Sequence, residues 1–187
     1  MRRRDLFTLF RRPEGASDAA GAPTPPSPLS VRDPLRPPGA LFETIFLDTC
    51  ERCGRCVTAC PREAIAPLDD SWGPAAGTPA IVPRDAPCVV CEGLQCTLVC
   101  PSGALAKVAP FDVTMGTAVL LASCVTLEGH ECGDCVVACP IPGAIAEVGG
   151  RPVVDAARCT GCGVCEHVCP TEPPSIVVEP ARALGLE

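Results

Sequence analysis

The chain has 187 residues, enough for one compact domain or two small ones, and aromatic residues make up only 3% of it. So few large rings exclude a conventional aromatic-rich core, whereas sixteen cysteines point to bound inorganic material inside the protein. The net charge of -7 disfavours nucleic acid as a partner. Without a G-x-G-x-x-G run, a Walker loop or a nucleophile elbow, the chain has no footprint of nucleotide, flavin or hydrolase chemistry.

Two segments precede the first cysteine. Residues 1–12, MRRRDLFTLFRR, carry five arginines and one apolar helical face, which indicates either a basic amphipathic helix that touches a membrane or partner surface, or a frayed terminus. Residues 13–40 are rich in Pro, Ala, Gly and Ser and predict a disordered tether.

The N-terminal segment also resembles a twin-arginine export motif, but no apolar export segment follows it. This favours a cytoplasmic location, with export as the alternative. No apolar stretch of about twenty residues occurs, so we expect no transmembrane span.

Every cysteine falls into one of four groups, and each group ends in Cys-Pro. The groups begin 38, 36 and 35 residues apart, which indicates an internal repeat with one supersecondary unit per period. Groups one to four are, in order, Cys50, Cys53, Cys56 and Cys60; Cys88, Cys91, Cys96 and Cys100; Cys124, Cys132, Cys135 and Cys139; Cys159, Cys162, Cys165 and Cys169.

The spacing within the groups favours iron over two rivals. Groups one and four read C-x2-C-x2-C-x3-C-P without deviation, which is typical of 4Fe-4S ligation in bacterial ferredoxins, and groups two and three have looser loops. Thiols this close suit few unstrained disulfides, and a zinc site has no use for the third cysteine. At four thiolates per cubane, the sixteen cysteines predict four 4Fe-4S clusters, with the fourth thiolate of each group reaching a neighbouring cluster.

Each group lies between two short apolar runs with β-branched residues. The preceding runs are 41–48, 79–85, 116–123 and 151–158, and the following ones are 62–68, 102–108, 141–148 and 173–180. They predict a unit of strand, cluster loop, one-turn helix and strand. The predicted fold class is α+β, with tandem bacterial-ferredoxin-like modules over 41–178 and a C-terminal tail at 179–187.

The sequence leaves the pairing of the groups open. A nested arrangement, slightly favoured, places outer motifs 41–68 and 151–178 around inner motifs within 80–148. Cys60 would then complete the cluster of Cys159, Cys162 and Cys165, and Cys100 would complete that of group three. Sequential pairing is the alternative, because the 19-residue gap between groups three and four also suits a two-cluster ferredoxin.

Three segments carry a resemblance to a known family: AGTPAIVPRD at 76–85, RDAPCVVCEGLQCTLVCPSGALAKV at 84–108, and 115–145 with the long loop of group three. Over about residues 41–178 the chain resembles the ferredoxin-type proteins of the MauM/NapG family. The resemblance implies four 4Fe-4S clusters with all sixteen cysteines as ligands.

The same resemblance implies a role in electron relay, from a membrane quinol-oxidising partner toward a terminal oxidoreductase. The chain would then be an electron-transfer subunit with no catalytic residue of its own. A cytoplasmic maturation or assembly factor for a redox enzyme is the alternative function, and a zinc-stapled interaction module is a third. Beyond residue 12, ten basic and twenty-one acidic residues leave an acidic body, which suits a basic docking patch on a redox partner.

Overall fold

Glycine and proline interrupt this chain often, so its secondary-structure elements are short; the sequence contains 17 glycines and 23 prolines. The computed structural model describes residues 33–181. The basic segment 1–12, most of the predicted tether and residues 182–187 lie outside this range.

The described residues contain five α-helices of one or two turns: α1 Glu43–Thr49, α2 Arg55–Ala59, α3 Gln95–Leu98, α4 Asp134–Ala138 and α5 Val164–His167. Helices α2 to α5 each carry the third cysteine of one group, which is buried in every case. Three 3-10 turns lie at Asp70–Ala75, Pro110–Asp112 and Val125–Glu128. In residues 33–181, no helix is long and apolar enough to cross a membrane.

Six strands form three two-stranded antiparallel sheets within the described range. The pairs are β1 Ile65–Pro67 with β2 Pro79–Ile81, β3 Gly116–Leu120 with β6 Ile176–Pro180, and β4 Ile145–Val148 with β5 Arg151–Val154. The first pair connects groups one and two, and the last connects groups three and four. In the chain, β3 precedes the third group and β6 follows the fourth.

Helix packing follows the same division. Helix α2 packs on α3, and α4 packs on α5. We therefore call residues 33–109 the first half and residues 110–181 the second half. Each half contains two cysteine groups joined by one hairpin.

Cysteines form part of the apolar interior. One buried cluster gathers Phe46, Leu94 and Leu105 of the first half with Met115 and Val178 of the second, and it includes thiols from three groups. A second cluster lies within the second half, around Ala118, Ile145 and Ile176, with Cys135 and Cys165. The thiols thus occupy positions where a larger protein would place aliphatic side chains.

The run at 41–48, predicted as a strand, is instead covered largely by helix α1. Helical winding buries Phe46 completely and sets Glu43 beside Arg36. The Arg36 guanidinium donates to both Glu43 carboxylate oxygens, at 2.9 and 2.7 Å, and lies 4.6 Å from the centre of the Phe46 ring. These contacts outweigh the β-branched character of the run.

An earlier segment takes the place of the predicted strand. Leu35 bridges to Ile81, and Ala40 bridges to Leu105. Residues 35–38 are buried, although the sequence analysis assigned them to the disordered tether. That assignment was wrong for residues 34–40, because backbone hydrogen bonds to distant segments order them; Ile81 N–H donates to the Leu35 carbonyl at 2.8 Å.

Four cysteine-lined cavities as a candidate cluster site

The sixteen cysteines line four cavities, with four thiols in each. Three thiols of every cavity come from one group and the fourth comes from the last position of another group. The first cavity has Cys50, Cys53, Cys56 and Cys100; the second has Cys60, Cys88, Cys91 and Cys96; the third has Cys139, Cys159, Cys162 and Cys165; the fourth has Cys124, Cys132, Cys135 and Cys169.

The exchange of fourth cysteines is sequential, so the nested arrangement is wrong. Cys60 lies with the first three thiols of group two, and Cys100 lies with those of group one. Groups three and four exchange Cys139 and Cys169 in the same way. The hairpins β1–β2 and β4–β5 hold successive groups together, and closing these short connections costs less chain entropy than bringing group one to group four.

Left-handed backbone immediately before α2, α3 and α5 folds three of the four cysteine loops back on themselves. Gly54, Leu94 and Gly163 have φ values of 71°, 37° and 86° and immediately precede α2, α3 and α5. Such turns place the cysteines on either side of them against one cavity. Leu94 adopts this conformation as a fully buried side chain, so core packing offsets its strain.

Burial and mutual proximity oppose ionisation of thiols in the second and third cavities. Burial, together with the neighbouring Cys162, Cys96 and Cys60 thiols, raises the pKa of Cys88 to about 12. Burial and the Cys91 thiol likewise raise the pKa of Cys96 to about 11. Thiols this close become thiolates together only when positive charge lies between them.

Two of the exchanged cysteines behave in the opposite way. Burial alone would raise the pKa of Cys100, but hydrogen bonds from the Leu105 N–H and the Ser102 hydroxyl outweigh it and lower the pKa. At Cys169, burial is again outweighed, here by the Thr171 hydroxyl and backbone N–H groups. The hydrogen bonds to these two sulfurs therefore favour the thiolate form.

The donor sets fit a cluster of several metal ions better than a single ion. All sixteen cysteines are free thiols. Within residues 33–181, no three His, Cys, Asp or Glu side chains converge closely enough to hold one metal ion, and the four thiols instead surround each cavity. The Thr160 hydroxyl, which lines the third cavity, is buried without a hydrogen-bond partner. An inorganic sulfide in that cavity would accept its hydrogen.

The four cavities follow one another through the molecule. The first and second are neighbours, because the Cys56 thiol adds to the rise in the pKa of Cys96. The third and fourth are neighbours, because Cys135 acts on Cys165 in the same sense. Between the halves, the Cys88 N–H donates to the Cys162 carbonyl at 3.0 Å, so the second and third cavities share a backbone contact.

Close packing of the two halves depends on glycine beside this contact. A Cβ atom on Gly163, in the second half, would lie 2.6 Å from the Pro83 Cβ in the first half. Nearby, Arg84 donates to the Cys169 carbonyl at 2.9 Å and pairs with Glu172. The interface therefore brings the cluster loop of group four against the first half.

Sequence analysis singled out the cysteines and missed the polar groups that contact them. Ser102, Thr126 and Thr171 each lie against a cysteine sulfur, and each follows that cysteine by two residues. A hydroxyl residue two positions after a ligand was the available signal. Arg84 gave none, since its partners lie more than eighty residues away.

Family models and curated relatives define the class of protein. Residues 49–104 match the 4Fe-4S dicluster domain, and residues 152–175 match the 4Fe-4S binding domain. With the four-thiol cavities, these matches place the chain among the iron–sulfur ferredoxin-type proteins.

Relatives narrow this class to one family. The chain is 43% identical over 173 residues to the methylamine utilization ferredoxin-type protein MauM of Paracoccus denitrificans, an alignment that covers 86% of the chain and 76% of that protein. It is 43% identical over 162 residues to the ferredoxin-type protein NapG of Escherichia coli, covering 78% of the chain and 70% of NapG. The MauM of Methylorubrum extorquens is 40% identical over 165 residues, or 81% of the chain and 74% of that protein.

The chain therefore belongs to the family of MauM and NapG ferredoxin-type proteins, and electron transfer through 4Fe-4S centres is its class of activity. No solved structure matches it.

Proposed function

We propose that the chain binds four 4Fe-4S clusters, one in each cavity, with all sixteen cysteines as ligands. The observation that carries this proposal is the grouping of the thiols into four sets of four with none left over. A cubane takes four thiolates, so each set is complete without another residue or an external ligand.

Each half is then one bacterial-ferredoxin-like module with two clusters. Two features repeat between the halves and support this reading. A central hairpin joins the two cysteine groups in each half, and the backbone before the first group of the half pairs with that after the second. The outer pairing is the Ala40–Leu105 bridge in the first half and β3–β6 in the second.

The residues of the chain hold the clusters, exclude water and set their order. A bound 4Fe-4S cluster supplies one-electron transfer at a potential that depends on its surroundings. Buried thiols such as Cys96, Cys135 and Cys165 keep the inner side of their cavities dry. Cys53, by contrast, is exposed, which makes the first cavity a point of access for a redox partner.

We place the chain between a membrane quinol-oxidising partner and a terminal oxidoreductase, as a relay without a catalytic site. Two of its relatives are named as a methylamine utilization ferredoxin-type protein and a ferredoxin-type protein. These names support a role as one component of a larger redox system. The acidic body suits a partner with a basic docking surface.

Metal analysis of protein purified without oxygen tests the cluster content. We expect about sixteen iron and about sixteen sulfide per chain, with broad absorption at about 400 nm that bleaches on reduction. Zinc without labile sulfide would contradict the proposal, and about eight of each would leave one half without clusters.

Affinity purification from the native cell separates the relay from an assembly factor. Stable co-purification with an integral quinol-oxidising subunit, and reduction of the clusters when quinol is added, are expected for a relay. Transient binding to a redox enzyme that lacks its cofactor, without reduction by quinol, would favour the maturation role.

A further inference from the structure

Side-chain hydroxyls contact ligand sulfurs unequally among the four cavities. In the fourth cavity, Thr126 Oγ1 lies 3.2 Å from the Cys124 sulfur, and Thr171 Oγ1 lies 3.2 Å from the Cys169 sulfur. In the first, Ser102 Oγ lies 3.7 Å from its cysteine sulfur. At the third cavity, the Thr160 hydroxyl interacts with the Cys162 sulfur, but in a geometry that does not meet that of a hydrogen bond. In residues 33–181, no side-chain hydroxyl hydrogen-bonds a sulfur of the second cavity.

Backbone donors do not produce this difference, because every cavity has at least one. The backbone N–H groups of Leu105, Ala64, Ala118 and Ser175 donate to sulfurs of the first, second, third and fourth cavities, at 3.4, 3.4, 3.4 and 3.3 Å. The two close hydroxyls are therefore what distinguishes the fourth cavity.

An iron-bound thiolate has no hydrogen, so each hydroxyl must be the donor. Thr126 is buried, and the Cys124 sulfur is its hydrogen-bond partner among the described residues. Thr171 also lies 2.8 Å from Ser175 Oγ, but the charged sulfur is the stronger acceptor. With the Thr171 hydrogen donated to the sulfur, the Ser175 hydroxyl donates to Thr171 Oγ1 and accepts from the Ser123 hydroxyl at 2.9 Å. This chain of serines fixes the position of the Thr171 hydroxyl.

We propose that Thr126 and Thr171 raise the reduction potential of the cluster in the fourth cavity above those of the other three. A reduced cluster carries one more negative charge than an oxidised one, so donated hydrogen bonds stabilise the reduced form more. Electrons that enter elsewhere in the array then collect at the fourth cavity. The inference rests on the proposed function, because it requires a cluster in that cavity.

The potentials of full-length, iron-loaded variants test this assignment. In Thr126→Val/Thr171→Val, the midpoint of the highest-potential cluster should fall while the other three stay unchanged. At the native midpoint of that cluster, the ratio of oxidised to reduced form should rise from one to about ten, which corresponds to about 59 mV for one electron. Electron paramagnetic resonance during a redox titration measures this ratio cluster by cluster.

Two controls separate hydrogen bonding from packing. Thr171→Ser keeps a hydroxyl and should keep the native potential. Thr97→Val makes the same change at a buried residue next to the ligand Cys96, but the Thr97 hydroxyl donates to the Leu94 carbonyl at 2.9 Å and to no sulfur. It should leave all four potentials unchanged. The idea fails if Thr171→Ser shifts the potential as far as the double valine variant does, or if all four clusters shift together.

A ligand variant tests the assignment even where the valine variants do not load iron. Cys132 lines the fourth cavity without a hydroxyl contact, so Cys132→Ala should remove the signal with the highest potential. The matched Cys53→Ala, in the first cavity, should remove a signal of lower potential. Removal of a lower-potential signal by Cys132→Ala overturns the inference while leaving the four-cluster proposal intact. Iron well below about sixteen in the unaltered chain would instead contradict the proposed function.

Discussion

At the scale of single residues, each group's last cysteine has the most consequential position. Three thiols of a group are brought together by their own loop, but Cys60, Cys100, Cys139 and Cys169 cross to the cavity of the partner group. Each crossing brings thiols of two loops to one cavity, so a cluster bound there, as we propose, would connect the two loops. Cluster binding and the packing of a half are therefore coupled.

Double substitutions measure which thiols share a cluster. Cys60→Ala should cost about four iron per chain, and Cys60→Ala/Cys96→Ala should cost no more, because both thiols line the second cavity. Cys60→Ala/Cys50→Ala should cost about eight, since two cavities each lose a ligand. Iron and sulfide analysis after anaerobic purification gives these numbers.

The matched pair for this experiment is Cys139→Ala alone and with Cys159→Ala, in the third cavity. Equal iron loss from the single and double variants is expected there too. Iron loss from Cys60→Ala/Cys159→Ala that matches a single substitution would restore the nested pairing.

At the scale of elements, the short helices and hairpins act as spacers between metal-binding loops. Helices α2 to α5 have four or five residues each, too few to be stable alone. Tertiary packing and the bound clusters must hold them. Before α2 and α5, glycine supplies left-handed backbone at Gly54 and Gly163, and the absence of a side chain at Gly163 also lets the first half pack against this loop.

Alanine at two equivalent glycines separates these purposes. Gly54 and Gly163 both cap a cluster helix with positive φ, but the space around a Cβ on Gly54 is open, whereas one on Gly163 meets Pro83. Gly54→Ala should cost about 1 kcal/mol for the backbone alone. Gly163→Ala should cost about 1–3 kcal/mol more because the halves must separate slightly.

Denaturant unfolding of the iron-loaded proteins, followed by loss of visible absorption, measures both costs. Equal losses in the two variants would mean that the contact between Gly163 and Pro83 contributes no stability.

At the scale of the whole molecule, the proposed clusters would take the place of a large apolar core, and stability would then depend on thiolate chemistry. A thiol bound to iron is deprotonated. Apart from Cys100 and Cys169, whose pKa values hydrogen bonds lower, burial places the shifted pKa values above the ordinary range once iron is released, at about 12 for Cys88 and about 11 for Cys96 and Cys135. At any pH below these values, release of iron takes up protons. The loaded state is thus less stable as pH falls.

Cluster loss in the presence of an iron chelator should therefore accelerate from pH 8 to pH 6. Cluster loss is measured as the decay of absorption at about 400 nm under anaerobic conditions. The chelator is one whose own affinity for iron is constant over this pH range. A rate that does not change with pH would show that protons take no part in the limiting step.

The sequence by itself determined the local features of this protein. Cysteine spacing within each loop identifies the metal chemistry, because a loop of this length fixes its own first three thiols without help from the rest of the chain. Each of six predicted runs contains a strand of three to five residues, as its β-branched residues predict; these runs are 62–68, 79–85, 116–123, 141–148, 151–158 and 173–180. Family resemblance rests on the same local patterns.

Only the tertiary structure decided what depends on distant contacts. The sequential exchange of Cys60 and Cys100, the burial of residues 35–38 and the helix α1 all result from packing between segments far apart in sequence. The run at 102–108 contributes one bridge instead of a strand for the same reason. Local spacing predicts which thiols are metal ligands, whereas three-dimensional packing determines which thiols meet and which hydroxyls reach their sulfurs.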